Sequence, residues 1–154
     1  MKKLAALLIA SAMMLSLAAC AENKEKENMQ IPNPLVKVED AAAFEKLGIE
    51  MDAPEGAEEV VYTIISDEIA DITFKTGGKE YTLRAAKTKE DISGLYGDVT
   101  ETKQLDGAEL TTIASGDETY CKIVWGDDIQ YCLTNTDGAG EEAVIAVYNS
   151  IVGK

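Results

Sequence analysis

From Asp71 to Arg84 apolar and polar side chains alternate on either side of Gly77-Gly78. Two glycines between alternating runs predict a two-residue hairpin turn. Pairing outward from that turn sets Phe74 against Tyr81, Ile72 against Leu83 and Ala70 against Ala85 on one face. The other face receives Thr73 with Thr82, Lys75 with Glu80 and Asp71 with Arg84. One register thus yields an apolar face and a face of matched polar pairs. A slip of one residue would destroy both.

The same alternation predicts strands at Val60–Ser66, Asp98–Gln104, Glu109–Ala114, Thr119–Trp125 and Ile129–Thr134. Asp106-Gly107, Ser115-Gly116-Asp117 and Gly126-Asp127-Asp128 are the turns between the later ones. Two segments change to helical spacing. Val38–Gly48 places Ala41, Phe44 and Leu47 three apart, with Glu39 and Asp40 at its start and Gly48 as a left-handed cap. Glu141–Val152 places Val144, Val147, Tyr148 and Ile151 on one face, with Gly153 beyond its end. Short turns between consecutive strands imply antiparallel neighbours. The expected fold is therefore α+β: an antiparallel meander sheet of about seven strands, covered on one face by an N-terminal and a C-terminal helix.

The register of the Trp125 hairpin decides how Cys121 and Cys132 relate. A two-residue Gly126-Asp127 turn sets the two cysteines opposite one another, but also sets Ile123 against Gln130 and Trp125 against Asp128. A three-residue Gly126-Asp127-Asp128 loop pairs Trp125 with Ile129, Ile123 with Tyr131 and Cys121 with Leu133. Burying such side chains contributes ~1.5–3 kcal/mol each, whereas a disulfide closing so short a loop adds at most ~3 kcal/mol. The apolar register is favoured, and with it reduced cysteines. A Cys121–Cys132 disulfide is the alternative.

The N-terminus follows another pattern. Lys2 and Lys3 precede an apolar run from Leu4 to Leu17, broken by Ser11 and Ser16, and the run ends Leu17-Ala18-Ala19-Cys20. This is the layout of a secretory signal peptide, shorter than a membrane span of ~20 residues. Its ending resembles the lipobox of bacterial lipoproteins. That resemblance implies a leader over 1–19, cleavage before Cys20, and a diacylglycerol on the Cys20 thiol. Two acyl chains suffice for stable anchoring. The expected location is the outer face of the bacterial cytoplasmic membrane. Residues 20–33 are polar and charged, and predict a flexible tether with a root-mean-square span of ~20 Å. Pro32 and Pro34 mark the boundary of a single domain over 34–154.

Composition narrows the chemistry. The formal net charge is −14 with 28 acidic and 14 basic residues, so no basic face is expected for nucleic acid. There is no histidine, the usual general base and zinc ligand. No cofactor and no metal site is expected. Aligning Asn135 and Asp137 with the first and third ligands of a calcium loop puts Ala139 in the fifth place and Ala146 in the twelfth, where a glutamate belongs. The loop Asp91-Ile92-Ser93-Gly94 offers a carboxylate and a hydroxyl, but lacks a base in a recognisable motif. Asp91 and Ser93 are read as turn residues that bond backbone groups. Trp125 and Tyr131 are read as core packing, with a ligand cleft as the alternative.

Asn33-Pro34, Arg84, Asp91-Ile92-Ser93-Gly94, and Trp125 with Tyr131 and Leu133 before a terminal helix together resemble a family of Firmicutes lipoproteins, the domain of unknown function 4367. The similarity covers most of 33–152, without the cysteine pair. It implies an extracytoplasmic domain and no catalytic residues. The expected function is a non-catalytic binding or sensing module of the envelope. Its expected partner is an envelope protein or cell-wall component, contacting the polar strand face or the 86–97 loop. A carboxylate-based hydrolase and a purely structural envelope protein are the competing readings.

Overall fold

The computed structural model describes residues 34–153. The strands are β1 (Leu35–Val38), β2 (Glu58–Ile65), β3 (Ile69–Thr76), β4 (Lys79–Ala86), β5 (Asp98–Leu105), β6 (Ala108–Ser115), β7 (Glu118–Trp125) and β8 (Gln130–Asn135). They form one antiparallel sheet in the order β1-β2-β3-β4-β8-β7-β6-β5. An α-helix, α1, spans Gly140–Val152, so the fold is α+β.

The Gly77-Gly78 hairpin lies in the middle of the sheet. Its register is Phe74 opposite Tyr81, Ile72 opposite Leu83 and Asp71 opposite Arg84, as the alternation requires. Both turn glycines have positive φ, 59° and 74°, the backbone of a tightly twisted two-residue hairpin. Around it two meanders, β1–β4 and β5–β8, meet where β4 pairs with β8. This corrects the expectation of a single meander. β4 does not turn directly into β5. Residues 87–97 carry the chain from the middle of the sheet to β5 on its far edge.

Two further expectations are corrected. There are eight strands, because Leu35–Val38 pairs with Ile65–Tyr62 along the edge of β2. β1 has four residues, three of them exposed, so its pairing is a backbone event with no apolar alternation to announce it. Second, the segment expected as a helix over Val38–Gly48 is a 3-10 helix over Ala41–Leu47. Val38 stays in the strand, and extended Asp40 starts the helix by accepting a hydrogen bond from Ala42 N at 3.0 Å. The three-residue spacing of Ala41, Phe44 and Leu47 is the natural period of a 3-10 helix, which aligns i and i+3. Gly48 closes it in the left-handed conformation.

The main core lies on one face of the sheet. Ile64, Ile72, Phe74, Leu83, Ile123 and Leu133 pack there with Phe44 of the 3-10 helix and with Val144, Val147 and Tyr148 of α1. Trp125 stacks on Tyr131 with centroids 5.5 Å apart, and Tyr148 meets Trp125 edge-on at 5.1 Å. No helix of the described residues is long and apolar enough to cross a membrane. The expected leader, Cys20 and the tether lie outside the described residues.

Candidate functional site

The second face of the sheet is where charge was expected, and residues 87–97 lie across it as a strap. From β8, the Gln130 side chain donates to Glu90 O at 2.8 Å. From β7, Lys122 Nζ donates to Asp91 Oδ2 at 2.6 Å. Ile92 packs in a small apolar cluster with Ala86 and Cys132, against Ile69 and Val124. Gly97 passes so near β6 that a Cβ there would lie 2.2 Å from Ala114 O. Arg84 holds the middle of the strap. Its Nη1 donates to Ile92 O at 3.0 Å and Ser93 O at 2.9 Å, while Nε donates to Asp71 Oδ1 at 2.7 Å.

Asp91 and Ser93 are thereby assigned. Ser93 N donates to Asp91 Oδ1 at 2.8 Å, and Leu95 N donates to Ser93 Oγ at 3.2 Å. These are local turn bonds. Burial alone would raise the Asp91 pKa, but Lys122 and the Ser93 bonds outweigh it and hold the carboxyl below its ordinary value. Both side chains are occupied in shaping and pinning the strap. The two cations of this face near the strap, Arg84 and Lys122, are engaged in the same task. The 86–97 segment is thus an integral layer of the fold.

Cys121 and Cys132 are free thiols, both buried. β7 and β8 pair as Trp125 with Tyr131, Ile123 with Leu133 and Cys121 with Asn135. Both sequence registers are corrected, the favoured one by two residues along the strand. A two-residue slip preserves every side chain's face, so the apolar face was placed correctly. The longer connection lets Trp125 stack on Tyr131 instead of meeting Ile129. Cys121 joins the main core, while Cys132 joins the cluster beneath the strap. A bond between them would have to pass through the sheet. Burial pushes the Cys132 thiol up to about 12, which leaves almost no thiolate at neutral pH.

Asn135 and Asp137 organise the entry to α1. Asn135 Nδ2 donates to Glu80 O at 2.7 Å and to Asp137 Oδ1 at 2.6 Å, and its Oδ1 accepts from Ala139 N at 2.8 Å. Among the described residues no group of three or more histidine, cysteine or carboxylate side chains is placed to hold a metal ion.

Trp125 and Tyr131 show both features weighed for them, core packing and a cleft. They pack against the core, and with Leu83 they also floor an open cleft of about 530 Å³. One wall is the irregular segment 50–55. The other is the last turn of α1, Ser150 to Val152. Among the described residues the lining carries Glu50, Asp52 and Glu55 and no lysine or arginine. Tyr131 Oη donates to Glu50 O at 3.2 Å. Tyr62 Oη donates to Asp52 Oδ1 at 2.6 Å, and that bond is the main cause of the Tyr62 pKa rising to about 12. Two tyrosines thus moor the acidic wall to the sheet. Sequence reasoning missed Glu50 and Asp52, since nothing in an irregular segment says which strand it will lie against.

No protein-family model, curated protein or solved structure matches the chain.

Proposed function

We propose that the chain is a lipid-anchored extracytoplasmic lipoprotein whose folded domain is a non-catalytic binding or sensing module of the bacterial envelope. Cys20 is the anchor, and the membrane is one partner through it. The observation that carries the binding reading is the cleft. A pocket of a few hundred Å³ with an apolar, aromatic floor and a few convergent polar groups is the usual form of a ligand site. The resemblance of Arg84, Asp91–Gly94 and the Trp125 hairpin to the lipoprotein family supports the same placement.

Two measurements test the reading. Cys20→Ser should abolish lipid labelling and move the protein out of the membrane fraction; continued labelling overturns the anchor. A panel of peptidase, esterase and glycosidase substrates should show no turnover. Turnover abolished by one substitution such as Asp91→Asn would replace the module with a carboxylate-based hydrolase.

A further inference from the structure

We infer that the cleft between 50–55 and the end of α1 takes a cationic side chain, an arginine presented by a basic polypeptide segment. The inference rests on the binding reading above and gives it a ligand class. Three independent features of the cleft point to positive charge. Glu50, Asp52 and Glu55 line it, among the described residues the lining holds no lysine or arginine, and the Glu50 and Glu55 side chains have no hydrogen bond or ion pair among those residues. The C-terminal turn of α1 forms the opposite wall and carries no basic residue, its last carbonyls being capped in part by Gly153 N to Asn149 O, so the negative end of the helix dipole lies at that wall. The floor is a stacked tryptophan–tyrosine pair, whose ring faces attract cations.

The apolar part of the lining selects among cations. Met51, Ala53, Pro54, Ile151 and Val152 line the cleft together with the carboxylates and the rings. A compact, strongly hydrated ammonium gains little from such a surface. A guanidinium on a three-carbon stem can lay the stem on the apolar wall, stack on an aromatic face and meet a carboxylate with two donors. The second large cleft, beside the strap, makes the contrast. Lys46 and Lys87 mingle there with Asp67, Glu68, Glu90 and Asp91, so its charge is mixed.

Trp125 is the one tryptophan in the chain, so its fluorescence reports on the cleft directly. The intact protein in neutral detergent is titrated at ~0.15 M salt with a blocked tetra-arginine peptide, with its citrulline counterpart, and with spermine. The citrulline peptide keeps the shape and removes the charge. The expected result is a saturable change with the arginine peptide, and binding weaker by about tenfold or more for the other two. The triple variant Glu50→Gln, Asp52→Asn, Glu55→Gln should weaken arginine-peptide binding by a similar factor while keeping the far-ultraviolet circular dichroism of the parent. A remote triple of equal charge change, Glu39→Gln, Asp98→Asn, Asp117→Asn, should leave it nearly unchanged.

Equal loss in both triples would assign the attraction to overall charge and overturn the site. Equal binding of the citrulline peptide overturns the cation requirement while leaving a binding module standing. Tighter binding of spermine overturns the polypeptide ligand. No response to the arginine peptide overturns the inference, whereas failure of the module reading itself would appear as turnover in the substrate panel.

Discussion

The two faces of the sheet are covered by different means. On one, α1 and the 3-10 helix bury large apolar side chains, and Phe44, Ile72, Leu83 and Val144 are fully inaccessible. On the other, a strap without regular secondary structure is held by donors from Arg84, Lys122 and Gln130 to its backbone and to one carboxylate, over a three-residue apolar cluster. The helical cover draws on burial, which is roughly proportional to area and indifferent to direction. The strap depends on a few directional bonds, so single residues matter there in a different way. Losing one should open the layer locally before it unfolds the domain.

Substitutions on the two faces can break or sharpen this contrast. Leu83→Ala, beneath the helical cover, should have the largest effect, ~2–5 kcal/mol by urea denaturation. Arg84→Ala should follow at about 1–3 kcal/mol, because Asp71 and two strap carbonyls lose their donor together. Arg84→Ala should also speed alkylation of Cys132 in the folded protein, since Cys132 lies under the strap, and leave Cys121 as slow as before. Equal acceleration at both thiols would mean that the two covers open as one.

Asp91→Asn should have a smaller effect, and one that depends on pH. The folded carboxyl titrates below its ordinary value of 3.8. Its contribution is therefore complete above that value and is lost as pH falls through the lower folded value. The stability gap between wild type and Asp91→Asn should be flat near neutrality and shrink below about pH 4. A gap that persisted into stronger acid would mean the Lys122 pair is not its source. Lys75→Ala should have the smallest effect. Its partner is Glu59 at 2.6 Å, and both side chains are exposed. The denaturation midpoint should stay within the error of measurement.

The centre of the fold was legible because its signals are local. Gly77-Gly78, the alternation on both sides and the Asp71–Arg84 pair lie within a few residues of each other, and only one register satisfies them all. The helical face of Val144, Val147 and Tyr148 was legible for the same reason, as was the side of the sheet to which Trp125, Ile123 and Cys121 belong. A period-two pattern survives a register error of two residues. It therefore gave the face of the Trp125 hairpin correctly and the partner residues incorrectly.

What the sequence by itself determined is thus a set of faces: which residues of each strand and helix turn toward an apolar core. Tertiary structure decided how those faces were assembled. The pairing of β4 with β8 joins residues some fifty positions apart, and no local pattern chooses it over a continued meander. That choice sends 87–97 across the sheet, turns Arg84 into an anchor and separates the two cysteines. The acidic cleft has the same origin. Glu50 and Asp52 are two of many acids in the sequence, and they converge with Trp125 because Tyr131 and Tyr62, from different strands, tie down the segment that carries them. Side-chain periodicity is set by the geometry of one strand or helix. Which elements meet depends on the free energy of the assembled chain, where loop closure, stacking and charge pairing are weighed together.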